Sequence, residues 1–249
     1  MAGVQFWPEM QPFPAALVDR IRAHRRLAVV FTNVIFDTSQ IHANTLYPDM
    51  FAWLGDVQQS IRSHPETFFV LRAHPDEDRP GKESRESVAD WVCATGIADL
   101  PNVAFFGPSE YVSSYELIRQ AKVVLVYNSS VGLEASILGA PVLCAGRARY
   151  TQLPTVFFPA SREEYLQRLE EGLGDAEIRV PPDFARNARQ FLYYELFQAS
   201  LDLSEFLEPH PGAPGMVLLR AFDPARLDAS PDLEVIREGI LEGRPFVLP

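Results

Sequence analysis

Two short polar segments follow apolar runs and have the residue types needed to bind an anion. His74-Pro75 follows the run 67–72, and Asn128-Ser129-Ser130 follows the run 123–127. Proline cannot continue a β-ladder, so we expect His74 at the carboxyl end of its strand. Histidine there can hold a phosphate by hydrogen bond or charge, or transfer a proton, because its pKa lies near neutrality. The alternative is that His74 only closes the strand end and packs under the next loop.

The serine segment precedes a short predicted helix over residues 131–138, which Gly139 ends. The N-terminus of a helix presents unpaired N–H groups and a partial positive charge. We therefore expect an anion to lie over Ser129 and Ser130, with Gly132 allowing a ligand to approach closely. The alternative is that the two serines only cap the helix.

Two further polar stretches are predicted near the same strand ends. Arg147 opens the stretch 147–150, whose two arginines and tyrosine could grip a phosphate, stack on a base or form a solvated loop. A long polar connection, residues 34–49, follows the end of the first predicted strand and contains Asp37 and His42. A loop of this length in a compact domain is either functional or poorly ordered.

The elements that must position these residues alternate between strand and helix, which predicts an α/β fold with a doubly wound parallel sheet and a C-terminal helical extension. Predicted strands cover residues 27–32, 67–72, 103–106, 123–127, 141–144 and 155–158. Predicted helices cover residues 15–24, 47–63, 83–95, 113–120, 131–138, 161–173 and 182–207. The last of these is rich in aromatic residues, which we interpret as core packing.

Three regions are predicted along the chain: a lead-in over residues 1–26, a Rossmann-like nucleotide-binding domain with a long final helix over 27–208, and an extension over 209–249. The third region begins at a break rich in proline and glycine. In it we predict a strand over 216–221 and a helix over 232–241.

Net charge, cysteine content and the distribution of apolar residues argue against several classes of protein. A net charge of −11 over 249 residues argues against a general nucleic-acid or anionic-membrane surface. Cys93 and Cys144 are predicted to be buried free thiols, which fits a reducing cytoplasm. We find no pattern of a signal peptide and no apolar run long enough for a membrane span. We expect a cytoplasmic protein, with a peripheral position at the inner membrane left open.

Several common motifs are missing from the sequence. No GxGxxG follows the first predicted strand, which removes the usual dinucleotide fingerprint. No GxxxxGK[ST] occurs, which argues against P-loop kinases and NTPases, and no GxSxG elbow of a serine hydrolase occurs.

The combination of His74-Pro75 with Asn128-Ser129-Ser130, Gly132 and Glu134 resembles the nucleotide-binding half of GT-B glycosyltransferases. It is most similar to the capsule polysaccharide biosynthesis group, which resembles bacterial transferases using CMP-activated sugars such as Kdo or sialic acid. The stretches FTNVIFDTS, LRAHPDE, SSVGLEASILGAPVLCAGRARY and RQFLYYELFQAS also look like that group. The resemblance covers residues 27–204.

The resemblance implies a role for each matching position. His74 would contact the donor phosphate, Ser129 and Ser130 would bind phosphate through hydroxyl and N–H groups, and Glu134 would reach the ribose hydroxyls. The donor-binding set that we predict is His74, Pro75, Asn128, Ser129, Ser130, Gly132, Glu134 and Arg147. The implied partners are a nucleotide-sugar donor, with a CMP-sugar favoured, and a polysaccharide or glycolipid acceptor. We expect a metal-independent reaction without a cofactor.

The sequence departs from the family pattern at its start. A complete GT-B enzyme has a second Rossmann-like domain with the acceptor site and catalytic base, and a first strand near Leu27 leaves no room for it. Asp37 and His42 are the candidates for the base. Besides a glycosyltransferase with a separate acceptor-domain chain, we keep two alternatives: a non-catalytic nucleotide-binding or interaction module, and a CDP-glycerol-type glycerophosphotransferase.

Overall fold

The structure is a computed structural model that describes residues 11–35, 39–78, 86–213 and 215–248. Its Cα positions divide into two compact units, a larger one within residues 8–188 and a smaller one within residues 189–249. The domain boundaries predicted at residues 27 and 209 stay a prediction, because compactness alone does not establish an independently folding domain. Among the described residues no helix is both long and apolar enough to cross a membrane.

The larger unit is built on a five-stranded parallel sheet with strand order β3-β2-β1-β4-β5, which confirms the predicted α/β fold. The strands are β1 (Arg26–Phe31), β2 (Thr67–Arg72), β3 (Val103–Phe106), β4 (Val123–Val126) and β5 (Val142–Cys144). The helices are α1 (Ala15–Ala23), α2 (Ser39–Ala43), α3 (Met50–Ser63), α4 (Val88–Thr95), α5 (Ser114–Gln120), α6 (Val131–Ile137), α7 (Arg162–Leu173) and α8 (Pro182–Tyr193).

Helices cover both faces of the sheet, which explains why the strands are continuous apolar runs. One face packs against α3, α4 and α7 in a core that contains Trp53 and Tyr165, whose side chains share a hydrogen bond of 2.6 Å. Alternate strand residues such as Val29 and Val124 are also fully buried, on strands that α5 and α6 contact.

The strand order reverses between β1 and β4, since the chain builds β1, β2 and β3 outward and then returns to add β4 and β5 on the other side of β1. Phe31, the last residue of β1, pairs with Arg72 of β2 and with Val126 of β4. The three strands therefore end at the same level. In open α/β sheets, ligands bind outside the carboxyl ends of the strands at such a reversal point.

The strand predicted over residues 155–158 is wrong. Only Phe157 pairs with the sheet, through an isolated bridge to Leu143. Pro154 and Pro159 flank this segment, and proline cannot donate to a ladder, so the pairing does not extend.

The helix predicted over residues 182–207 is too long, because α8 ends at Tyr193 and a single π-helical turn follows over Tyr194–Gln198. The Ser200 hydroxyl donates to the Glu195 carbonyl at 2.6 Å, a local bond that competes with helix continuation. The expectation of core packing for its aromatic residues is also wrong in part, since Tyr193 is 59% exposed and Phe197 is 60% exposed.

The predicted burial of the two thiols is confirmed for Cys144 and wrong for Cys93, which is exposed on α4. The side of α4 that faces the core is formed by Val88 and Val92, so the neighbouring position 93 turns toward solvent.

The smaller unit contains an antiparallel pair, β6 (Leu207–Pro209) and β7 (Val217–Leu219), followed by α9 (Pro231–Glu242). The Ser230 hydroxyl accepts the Leu233 N–H at the start of α9. The rings of Phe206 and Phe222 pack edge to face with centroids 5.2 Å apart.

Candidate functional site

The polar residues that follow β1 connect the ends of its two neighbours. Thr32 donates its N–H and its hydroxyl to the Arg72 carbonyl at 3.1 and 3.2 Å. Asn33 Oδ1 accepts the N–H of Asn128 at 3.3 Å. Because neighbouring strands lie about 4.8 Å apart, the ends of β2 and β4 are separated by about 10 Å. The segments that begin at His74 and Asn128 therefore share one edge of the sheet.

His74 is half-buried directly after β2, and its own chain orients the ring. Nδ1 accepts the Asp76 N–H at 3.1 Å, within a short 3₁₀ turn over Pro75–Asp78. A nitrogen that accepts a hydrogen bond carries no proton, so the neutral ring has its proton on Nε2. His74 is thus set up as a hydrogen-bond donor through Nε2 while it is neutral.

The serine segment forms the turn between β4 and α6. Ser129 is buried, and its carbonyl accepts the Gly132 N–H at 3.0 Å and the Tyr150 hydroxyl at 2.7 Å. Ser130 is exposed and is the N-cap residue of α6, yet within this fully described turn its side chain makes no capping hydrogen bond. The interpretation that both serines only cap the helix therefore does not hold for Ser130.

Gly132 and Tyr150 fit each other closely. A Cβ at position 132 would lie closer than 3.0 Å to the Tyr150 hydroxyl oxygen, and 3.0 Å from Val126 Cγ2. Burial raises the pKa of Tyr150, so its phenol keeps the proton that it donates to the Ser129 carbonyl. The space beside Gly132 that we expected to admit a ligand is filled from inside by Tyr150.

Glu134 lies in the first turn of α6 and is half-buried. Its Oε2 accepts the hydroxyl of Tyr115, from the first turn of α5, at 2.6 Å. This hydrogen bond to Glu134, with burial, raises the pKa of Tyr115 to about 12. Tyr115 thereby holds the carboxylate in one orientation.

Two of the remaining predicted residues, Arg147 and His42, lie on the β5 side of this edge. The N–H of Arg147, whose side chain is exposed, donates to the Ala43 carbonyl at 2.9 Å and so holds the end of α2 beside β5. His42 is exposed on α2, and β5 lies three strand positions, or about 14 Å, from β2, which His74 follows. Asp37 lies outside the described residues.

Sequence reasoning missed two residues that the structure brings to this edge, Tyr115 and Arg72, and it expected Tyr150 to contact a ligand and not the serine turn. The hydrogen-bond partners of the two tyrosines carry no sequence signal, because each partner lies about 20 residues away in the chain. Arg72 does carry a sequence signal, because it is a charged residue at the end of a largely apolar run. The structure shows that every residue of this run is buried.

No metal cluster marks this edge in the described part of the chain. The search for three or more His, Cys, Asp or Glu side chains that could hold a metal ion finds no group among the described residues. A cavity of about 280 Å³ lies at the opposite edge of the sheet, against Val123, Pro141 and Phe157. We do not assign it to the site, because the polar strand ends are at the carboxyl edge.

Comparison with known proteins gives one family match. A family model described as capsule polysaccharide biosynthesis protein matches residues 14–153, which is more than half of the chain. No curated protein matches.

Solved structures with a similar arrangement share little sequence. A UDP-N-acetylglucosamine 2-epimerase from Listeria monocytogenes, described as putative, is 14% identical, with 75% of this chain and 48% of that one covered and a TM-score of 0.44. KpsC, a β-Kdo 2,4 transferase from Thermosulfurimonas dismutans, is 15% identical, with 72% and 47% covered and a TM-score of 0.42. Its β-Kdo 2,7 transferase counterpart is 19% identical, with 70% and 50% covered and a TM-score of 0.39.

The chain spans about half the length of these solved structures. The family match includes both polar strand ends, the one at His74 and the one at Ser129-Ser130. On the extent of that match, the protein belongs to the family of capsule polysaccharide biosynthesis proteins.

Proposed function

We propose that the protein binds a nucleotide-activated sugar at the carboxyl edge of its sheet, as the donor-binding half of a GT-B glycosyltransferase of surface polysaccharide synthesis. The observation that carries this proposal is the hydrogen bond between Asn33 and Asn128, across the point where the strand order reverses. It holds the polar ends of β1 and β4 together, and His74 follows the strand on the other side of β1. Family membership supports the same assignment.

Each predicted site residue has a role in this proposal. His74 donates from Nε2 to the donor phosphate, and Pro75 holds the histidine at the strand end. Ser130 offers its exposed hydroxyl to the same phosphate, and the Asn128-Ser129 backbone shapes the turn. Glu134, oriented by Tyr115, accepts hydrogen bonds from the ribose hydroxyls.

The remaining two residues act at a distance from the phosphate. Gly132 makes room for the tyrosine that holds the serine turn, and Arg147 contributes positive charge beside β5. Among the candidates for the base, His42 lies on this β5 side.

Glycosyl transfer requires hydrogen-bond donors at the leaving phosphate. In glycosyl transfer the bond between the anomeric carbon and the phosphate oxygen breaks, and negative charge grows on that oxygen while the acceptor hydroxyl loses its proton. Fixed hydrogen-bond donors aimed at this oxygen stabilise the transition state, and loss of one such donor typically costs about 10²–10³ in rate. A CMP-sugar is favoured because both motifs resemble those of transferases that use CMP-activated sugars.

The test is a thermal-shift and calorimetric screen with CMP, CDP, UDP and their sugars. We expect CMP or CDP to raise the melting temperature of the wild-type protein, and His74→Ala to abolish that rise. His42→Ala is the matched control, because this exposed histidine lies on the β5 side and should leave the shift unchanged. No shift with any nucleotide would contradict the proposal.

Product analysis then separates the alternatives. Transfer from CMP-Kdo to a saccharide acceptor supports the glycosyltransferase, whereas transfer from CDP-glycerol supports the glycerophosphotransferase. Binding without turnover under any acceptor supports the non-catalytic module, in which His42 substitution has no effect at all.

A further inference from the structure

Arg72 is a buried cation at the carboxyl edge of the sheet. It is the last residue of β2 and is only 5% exposed. Its guanidinium donates to the carbonyl of Val112, and burial lowers its pKa, with the charge of Glu110 acting in the opposite direction. Within the described ranges, no carboxylate lies within ion-pair distance of this guanidinium.

A second buried arginine shows what the protein does elsewhere with such a charge. Arg26 begins β1 at the opposite edge of the sheet, and its side chain is 8% exposed. It forms an ion pair with Glu66 at 3.0 Å and another with Asp175. Burial of a charge without a counter-charge costs several kcal/mol, so proteins normally pair buried arginines as Arg26 is paired.

The position of Arg72 relates this unpaired charge to the candidate site. Its own carbonyl accepts both hydrogen bonds from Thr32, and His74 follows two residues later. Its guanidinium lies at Val112, which precedes the cap of α5, and the first turn of that helix carries Tyr115, the partner of Glu134. Arg72 is therefore linked through its backbone to the polar end of β1 and through its guanidinium to the residue that precedes the cap of α5.

We propose that Arg72 is the buried cation of the donor site, and that the phosphate of the bound nucleotide supplies a counter-charge for this guanidinium, which has no ion-pair partner among the described residues. This inference rests on the proposed function. Arg72 acts through its field and not as a catalytic residue, since it is only 5% exposed. A unit charge about 10 Å from a phosphate, at an effective dielectric constant of about 20, changes affinity on the order of tenfold.

The experiment measures binding of CMP and of inorganic pyrophosphate by calorimetry, at low and at physiological salt, with the full chain. Arg72→Met removes the charge and keeps an unbranched side chain, whereas Arg72→Lys keeps the charge. Arg26→Met is the matched control, because it removes one buried positive charge from the other edge. Urea unfolding of each variant checks that it is folded.

We expect Arg72→Met to bind both ligands about tenfold more weakly than wild type at low salt, with a weaker salt dependence. Arg72→Lys should keep most of the affinity. Arg26→Met should lower the free energy of unfolding, because it breaks two ion pairs, and leave affinity unchanged. If Arg72→Met fails to fold, Arg72→Gln carries the same test.

Unchanged affinity in the Met or Gln variant overturns the inference, and so does an equal loss in Arg72→Lys, which would show a packing role. The outcome for the proposed function is separate. If wild type binds pyrophosphate but no nucleotide, the proposed function fails while the pyrophosphate arm still tests Arg72. If wild type binds neither, both fail.

Discussion

The contact between Gly132 and Tyr150 can be tested with a double-mutant cycle, because the effect of Gly132→Ala on the free energy of unfolding should depend on whether Tyr150 keeps its hydroxyl group. Gly132→Ala places a methyl group against the Tyr150 hydroxyl, and Tyr150→Phe removes the oxygen that it meets. In the wild-type background we expect Gly132→Ala to lower the free energy of unfolding by about 1–3 kcal/mol, because added volume in a packed site forces its neighbours to move. Tyr150→Phe alone should cost about 1 kcal/mol, because the Ser129 carbonyl loses one of its two donors.

The double variant distinguishes a specific clash from independent damage. Without the Tyr150 oxygen, the remaining close contacts of the new methyl group are 3.0 Å to Val126 Cγ2 and 3.3 Å to the ring carbon that carried the hydroxyl. Alanine is also favoured over glycine in a helix by roughly 0.5–1 kcal/mol. We therefore expect Gly132→Ala to cost less in the Tyr150→Phe background than in the wild-type protein, with a coupling free energy of at least about 1 kcal/mol.

The assay is a double-mutant cycle from urea unfolding followed by tryptophan fluorescence. Gly55→Ala is the matched control, since this glycine is also helical and its added Cβ would meet nothing within 4 Å. It should be neutral or stabilising in both backgrounds. Additive effects of Gly132→Ala and Tyr150→Phe, or coupling of similar size for Gly55→Ala, would refute the packing account of the serine turn.

Two further predictions concern pH dependence and sugar recognition. Burial opposes the charged form of His64, but hydrogen bonds to Glu170 and Glu66 outweigh it and raise the pKa. The charged histidine therefore stabilises the folded protein below about pH 6.5, and this stabilisation is lost as the pH rises through the raised pKa. His64→Gln should thus lower the free energy of unfolding more at about pH 6 than at about pH 8.5, and the difference should be less than about 1 kcal/mol because Glu170 is half-exposed. Urea unfolding at both pH values measures it, and an equal loss at both would refute the prediction. Tyr115→Phe should reduce the preference for CMP over its 2′-deoxy form about tenfold in calorimetry, because Glu134 loses the hydroxyl that orients it; an unchanged preference would refute that role.

The sheet and its polar ends could be predicted because their signals are local. Each strand of the sheet is a short apolar run, and Pro75 fixes where one of them ends. The pairing of Phe157 was predicted as a full strand because its residues are typical of strands. Pro154 and Pro159 reduce it to one bridge, which shows backbone chemistry overriding side-chain preference.

The arrangement around the site could not be read in the same way, because it depends on partners distant in the chain. Gly132 reads as a ligand-facing glycine until Tyr150 is placed against it. Arg72 reads as the polar end of a strand until Val112 and the burial of its side chain are known. In both cases the tertiary contact, and not the residue type, decides the role.

The most direct test of the central claim is a crystal structure of the protein with CMP bound. We predict the phosphate within hydrogen-bond distance of His74 Nε2 and the Ser130 hydroxyl, at the edge where β1 and β4 end. A nucleotide in the cavity against Val123 and Pro141, or a phosphate that contacts neither His74 nor Ser130, would contradict the proposed donor site.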